Sequence, residues 1–238
     1  ASRGNYSNIN IYSEYFKSIN ETHNFKVMAG FQSEEFKYRM LSAKKDGIQV
    51  PGYPVLDATT GLDQDGKPVA PEAKGYYDDW SMAGFFGRIN YDYQGKYLAE
   101  VNLRYDGSSR FRKDKRWDFF PSFSLGWNVA REDFWKENLN KLSTFKLRAS
   151  YGELGNSNTD GYYPTYLQMP LNNSNANSAD WLIGGVRPNT AYAPNPVSTF
   201  LTWESAATFD IRLDIAVLNN RSTLTVDFYN RKTMCMIV

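Results

Sequence analysis

The sequence predicts an all-β fold: an antiparallel transmembrane β-barrel segment of about eight long strands with long extracellular loops. Three observations predict it. Apolar and polar residues alternate with period two, the alternating segments are long for strands, and short connections take turns with long ones. A strand points successive side chains to opposite faces, so each such segment carries one apolar and one polar face.

Taken in order, residues 4–16 and 23–38 are the first two candidate strands, joined through Ile19-Asn20-Glu21. Residues 39–81 follow as a long loop with Gly, Pro and Asp. Over 82–93, Phe85, Gly87, Ile89, Tyr91 and Tyr93 alternate with Arg88, Asn90, Asp92 and Gln94. A turn at Gln94-Gly95 leads into 96–106, where Tyr97, Ala99, Val101, Leu103 and Tyr105 alternate with Leu98, Glu100, Asn102, Arg104 and Asp106. A medium loop from Gly107 to Trp117 precedes a candidate strand at 118–130. The link 131–142 suits a helical turn or two around Asp133-Phe134-Trp135. Phe145, Leu147, Ala149 and Tyr151 then alternate with Lys146, Arg148 and Ser150. A very long loop, 154–200, is rich in Asn, Ser, Tyr, Pro and Gly. Phe209, Ile211, Leu213, Ile215 and Val217 alternate with Thr208, Asp210, Arg212 and Asp214. Asn219-Asn220 makes a two-residue turn into Leu224, Val226 and Phe228, which alternate with Thr223, Thr225 and Asp227.

Alternation alone does not separate a soluble sandwich, whose apolar face packs on a second sheet, from a membrane barrel, whose apolar face meets lipid. Ordinary strands average about 5–6 residues, whereas a membrane-spanning strand needs about 9–11. Strand length, the short-long loop order and tyrosines at strand ends (Tyr91, Tyr93, Tyr97, Tyr105, Tyr151) favour the barrel. A self-contained small outer-membrane β-barrel, or a soluble carbohydrate-binding β-protein, stays as the alternative.

Composition narrows the function. The 238 residues hold 27 Lys and Arg against 26 Asp and Glu, a net charge of +1, which argues against nucleic-acid binding. Mean hydropathy is −0.57, and no apolar run reaches the ~18 residues of a spanning helix. A single cysteine, Cys235, leaves no internal disulfide framework, and a single histidine, His23, argues against histidine-ligated metal. Asp63-Gln64-Asp65-Gly66-Lys67 has the start of a calcium loop without its closing Glu, so it reads as a plain turn. Glu34-Glu35 and Asp78-Asp79 are adjacent and point to opposite strand faces, so neither is an acid–base couple. The chain is expected to be no enzyme and to carry no cofactor and no metal.

Four segments carry a family resemblance: FGRINYDYQGKYLAEVNLRYDGSSRF from Phe86, RWDFFPSFSLGWNVAREDFW from Arg116, LSTFKLRASYGELGN from Leu142 and LTVDFYNRKT from Leu224. In this order and spacing they resemble the SusC/RagA family of TonB-dependent outer-membrane transporters, closely over 81–233 and loosely over 1–80. The resemblance implies a barrel of about 22 strands around a plug, of which residues 1–238 are a partial barrel domain. The plug, the TonB box and the final strands would lie outside this chain. It further implies the cell outer membrane of a Gram-negative, Bacteroidetes-type organism as location. The implied partners are TonB, a SusD-like surface lipoprotein and outer-membrane lipid, with a glycan or peptide as cargo.

Two residue sets are the functional candidates. Arg88, Asn90, Asp92, Glu100, Asn102, Arg104, Lys146, Arg148, Asp210, Arg212 and Asp214 should face the lumen, where mixed signs suit ion-pair ladders or a cargo path. In the long loop, Tyr162, Tyr163, Tyr166, Trp181 and Tyr192 suit stacking on cargo or packing against a partner. Tyr105-Asp106-Gly107-Ser108-Ser109-Arg110-Phe111 reads as a loop-forming turn, with Asp106 and the serines bonding local backbone and Gly107 permitting positive φ.

Overall fold

The structure is a computed structural model that describes residues 1–138, 142–167, 171–172, 190–191, 196–198, 200–218 and 221–236. The strands are β1 (Ser2–Ile19), β2 (His23–Lys44), β3 (Glu72–Tyr93), β4 (Tyr97–Ser108), β5 (Trp117–Asn128), β6 (Leu142–Asn156), β7 (Leu171–Asn172), β8 (Thr190–Ala191), β9 (Glu204–Val217) and β10 (Ser222–Met234). Eight of them form one sheet in the order β1-β2-β3-β4-β5-β6-β9-β10, and β7 pairs with β8 as a separate ribbon within the long loop. The pairings β4–β5, β5–β6, β6–β9 and β9–β10 are all antiparallel. The fold class is therefore all-β and antiparallel, as expected.

Short turns close one set of strand ends. Asn20 and Glu21 have φ of 53° and 54°, and Gln94 and Gly95 have 53° and 63°. Two successive positive φ values make the type I′ hairpin turn, whose twist matches that of the strands. The turns are closed by Thr22 N–H to Ile19 O at 3.2 Å and Lys96 N–H to Tyr93 O at 2.8 Å. The Asn219-Asn220 turn lies outside the described residues. The link between β5 and β6 contains two 3-10 turns, Val129–Arg131 and Asp133–Asn138, where helical turns were expected.

The loop expected over 39–81 is shorter, spanning 45–71, because β2 and β3 each run for 22 residues. That is about 73 Å of strand, well beyond the 9–11 residues a bilayer crossing uses. Glu72-Ala73-Lys74-Gly75-Tyr76-Tyr77-Asp78-Asp79 lacks alternation, and backbone pairing needs no apolar face.

Contacts divide the chain into two compact units, Ala1–Ile9 with Ser33–Met82 and Asn10–Gln32 with Ala83–Val238. The first is held by rings: Trp80 lies 6.5 Å from Tyr6 and 6.3 Å from Phe36, and Tyr38 lies 5.6 Å from Tyr76. Its 63–67 turn is an Asx turn. Asp63 Oδ1 accepts from the amides of Asp65 at 2.9 Å and Lys67 at 2.8 Å, and Gly66 takes a φ of 76°. The second unit holds the alternating strands and every candidate site residue that the structure describes.

Candidate functional site

Cross-strand register sorts the second unit into two faces. Glu100 opposes Ser124, Ser124 opposes Ser150, and Ser150 opposes Asp210, so the expected polar residues share one face. There Arg88 donates to Asn102, Asn90 donates to Glu100 at 2.6 Å, and Asn102 donates to Glu100 at 2.8 Å and Ser122 at 3.2 Å. Arg148 and Arg212 are directly opposed, a repulsive pair relieved by a diagonal carboxylate on one side, Asp214, and a directly opposed one on the other, Asp227. Arg148 takes Asp214 at 2.6 Å and Arg212 takes Asp227 through both carboxylate oxygens. Asp92 leaves this ladder and accepts the Gly95 amide at 2.5 Å, so it secures the hairpin turn instead. The face holds a concavity of about 400 Å³ lined by Asn90, Glu100, Ser124, Lys146 and Arg148. Among the described residues, buried Asn90 Oδ1 and Arg148 Nε have no hydrogen-bond partner there, so this wall is chemically incomplete by itself. Replacing Asp214 with Ala is expected to lower stability by about 1–2 kcal/mol, because it leaves Arg148 opposite Arg212 uncompensated. Urea unfolding of the whole protein in lipid, with D214N as the conservative comparison, measures it.

The opposite face is apolar and uncovered. Its rows read Tyr97-Trp127-Leu147-Leu213, Ala99-Leu125-Ala149-Ile211 and Val101-Phe123-Tyr151-Phe209. Leu125 is 66% exposed and Phe123 46%, and among the described residues no second sheet packs on them. A soluble sandwich would cover this face. Aromatic side chains cluster at both of its ends, in addition to the Phe123-Tyr151-Phe209 row between them. Near the short turns, His23 lies 4.8 Å from Tyr93, Phe25 4.9 Å from Tyr91 and Trp135 5.4 Å from Phe145. Toward the other end, Trp117 stacks 5.1 Å from Tyr105, and Phe31 lies 5.1 Å from Phe85. The ten-residue step from Trp117 to Trp127 is about 33 Å of strand, or about 25 Å along the normal at a 40° tilt, the height of a barrel's apolar band.

Beyond the Trp117 end lies a packed cluster. Phe111 is fully buried against Trp203, 5.5 Å away, and Trp203 meets Phe120 edge-on at 5.3 Å. The Trp203 indole donates to Arg116 O at 2.9 Å. Arg110 donates to Ser157 O and Asn158 Oδ1 at 3.3 and 2.9 Å, and lies 5.1 Å over the Tyr162 ring. Burial holds its guanidinium below the usual value. Tyr163 and Tyr166 meet edge-on at 6.1 Å. Three of the five loop aromatics thus fall on one segment beside the β4–β5 connection. Trp181 and Tyr192 lie outside the described residues. The turn expected at 105–111 forms only over its second half: β4 continues to Ser108, whose Oγ accepts the Arg110 amide and whose carbonyl accepts the Phe111 amide, both at 3.4 Å, and Gly107 has no positive φ. Glycine is needed because a Cβ there would sit 2.6 Å from the ring of Trp117. Asp106 takes the Arg104 guanidinium at 2.9 and 3.0 Å rather than local backbone.

The β-barrel family described as "TonB dependent receptor-like" matches residues 1–234. The chain belongs to this family. The TonB-dependent receptor SusC of Bacteroides thetaiotaomicron is 34% identical over 225 residues, which cover 94% of this chain and 21% of SusC. TonB-dependent receptor P3 of Formosa agariphila is 29% identical over 227 residues. The solved RagAB peptide transporter superposes with a TM-score of 0.80 at 25% identity, covering 98% of this chain and 24% of that chain. Its "closed-closed" state gives 0.81 at 24% identity and shows the same fold. This chain spans about a fifth of the length of SusC and about a quarter of the solved chain. It is a barrel segment of a SusC/RagA-type TonB-dependent receptor.

At the short-turn end of the receptor segment sits a network absent from the sequence reading. Glu132 accepts from Trp127 Nε1 at 3.1 Å and pairs with Lys96 at 3.2 Å, and Lys96 also reaches Asp133 at 3.4 Å. Hydrogen bonds from Tyr97 and Trp127, then Lys96, hold the Glu132 carboxyl below its ordinary value. The same Glu132 contact raises Lys96. A carboxyl depressed in the folded state stabilises above its unfolded value, and that contribution is lost as pH falls through the folded value. The raised lysine contributes below its unfolded value, until pH rises through its folded value. The tie is expected to be complete from about pH 5 to 10 and to loosen in acid. Hydrogen exchange at the Asn128 amide, which donates to Lys96 O at 2.7 Å, reads it out after correction for intrinsic rates, and E132Q should remove the acid dependence. Nothing local in the sequence joins Lys96 to Glu132; the pairing of β4 with β5 and the turn after β5 bring them together.

Proposed function

We propose that this segment forms part of the wall of an outer-membrane importer that takes up a glycan or peptide, with the polar face lining the lumen and the apolar face in lipid. The observation that carries the reading is the two-faced sheet. An uncovered apolar face is bounded by two aromatic belts, and its reverse is a hydrogen-bonded polar face with buried groups awaiting partners. In this reading Arg88, Asn90, Glu100, Asn102, Arg104, Lys146, Arg148, Asp210, Arg212 and Asp214 face the lumen, with Asp92 securing its hairpin at the rim. Asn90 and Arg148 complete their hydrogen bonds against a plug or water.

Tyr162, Tyr163 and Tyr166 stand at the outer rim, where cargo or a SusD-like lipoprotein docks. RagAB is described as a peptide transporter, which supports import as the activity and peptide as one cargo class. TonB would supply the force through parts of the protein outside this chain, and the segment itself breaks no bond. Cells lacking the gene are compared with complemented cells for growth on single glycans or peptides as nutrient. Loss on one nutrient, restored by the intact gene and not by a copy lacking its TonB-contacting segment, supports import. Unimpaired growth on every nutrient would sink it.

A further inference from the structure

We propose that the β4–β5 connection and the segment after β6 build a subsite for an anionic oligosaccharide, one carrying carboxylate or sulfate groups. The inference rests on the import reading above and names the class of cargo. The chain as a whole is nearly neutral, yet Arg110-Phe111-Arg112-Lys113-Asp114-Lys115-Arg116 places five cations and one acid in seven residues. Arg110 is committed to Ser157, Asn158 and Tyr162. Arg112 and Lys113 are exposed and have no ion-pair partner among the described residues. Both line a cavity of about 450 Å³ together with Asp114, Thr165, Tyr166 and Leu167. That size lies in the ordinary range for small-ligand sites, about 300–1,000 Å³. Asp114 faces the same space, and the run still leaves it with a positive surplus.

A second, independent observation points to a ligand. Thr165 is only 8% exposed, it lines this cavity, and among the described residues its buried Oγ1 has no hydrogen-bond partner. Buried hydroxyls are normally paired, so an orphan beside a cavity marks where a ligand group belongs. Tyr166 is half exposed and offers a ring face beside it. The frame is rigid. Phe111 is pinned under Trp203, and Lys115 N–H closes a turn on Arg112 O at 2.9 Å. A hydroxyl, a flat ring and fixed cations match the alternating hydroxyl, ring face and acidic group of an acidic sugar. Clustered cations also hold acidic peptide motifs, so oligoglutamate is the competing ligand in the test.

The test uses the full-length receptor, purified in detergent, on an array of uronate-bearing, sulfated and neutral oligosaccharides with oligoglutamate peptides. Binding is expected to acidic sugars of either kind, weakened by salt. R112A/K113A is expected to weaken it about tenfold or more, the loss that accompanies removal of a charge-assisted contact. T165V, nearly the same shape, is expected to weaken it without changing the salt dependence. Both variants should keep the wild-type unfolding midpoint. Preference for neutral sugars, binding only to oligoglutamate, acidic binding unaltered in R112A/K113A, or no binding to any member would overturn the proposal. A nutrient-specific growth defect on a neutral glycan would overturn it while leaving import standing. Absence of any growth defect would strike the import reading itself.

Discussion

Truncating Phe111 to alanine is expected to cost about 3–5 kcal/mol and to expose the β4–β5 connection to protease. Phe111 is fully buried in a chain where few side chains are, and it is the residue that ties a basic surface loop to the sheet. Its neighbours cannot collapse into the gap. Trp203 is fixed by its indole hydrogen bond to Arg116 O. Phe120 is held over Gly155, where a Cβ would sit 2.1 Å from its ring. An unfilled cavity is therefore left, and cavity-forming truncations lie at the costly end of the range. Guanidinium unfolding of the full-length receptor measures the stability loss. Trypsin measures the loop, since Arg112, Lys113, Lys115 and Arg116 are cleavage points that the pinned conformation protects. Phe134, 65% exposed, is the control, and F134A should change little. If F111A leaves both the midpoint and the cleavage rate unchanged, the loop is not anchored through this ring.

How much of this was legible in the sequence follows from what the two faces of the sheet demand. Where one face of a strand is apolar and the other polar, the alternation is strict. β3 from Phe85, β4, β6, β9 and β10 were readable for that reason. Where a strand runs past that constraint the pattern dissolves, which is why 39–44 and 72–81 read as loop although they pair. The polar-face set was also legible as a set, because face is fixed by parity. Which partner each residue takes was not, since register and diagonal reach decide it. Asp227 belongs to the ladder through Arg212, and Asp92 leaves it for a turn. Gly107 shows a different limit. Its glycine answers a cross-strand ring, Trp117, ten residues away, and a local reading can only offer φ. The cation run at 110–116 is invisible in a net charge of +1 because the acids elsewhere in the chain balance it.

Replacing Phe123 with arginine is expected to cost about 2–4 kcal/mol more than replacing it with leucine, the penalty for a cation near the middle of a barrel's lipid face. Phe123 lies six residues from Trp117 and four from Trp127, between the two aromatic belts, in the row Val101-Phe123-Tyr151-Phe209. It is 46% exposed, and that exposure makes the experiment decisive. On a soluble sheet an exposed phenylalanine exchanged for arginine would sit comfortably in water, and the two variants would agree within about 0.5 kcal/mol. In lipid the guanidinium must be dragged to an interface about 10 Å away, four residues toward Trp127, or hydrated by distorting the bilayer. The leucine variant removes the ring while keeping the site apolar, so packing loss cancels from the difference. Urea titration of the full-length receptor refolded into lipid vesicles measures both. Asp65→Arg, in the exposed Asx turn, checks that an added positive charge is harmless elsewhere. The two faces of this sheet then stand or fall separately. A large F123R–F123L gap establishes lipid on the apolar side, and the polar side is judged independently by the loss of its Asp214 ladder.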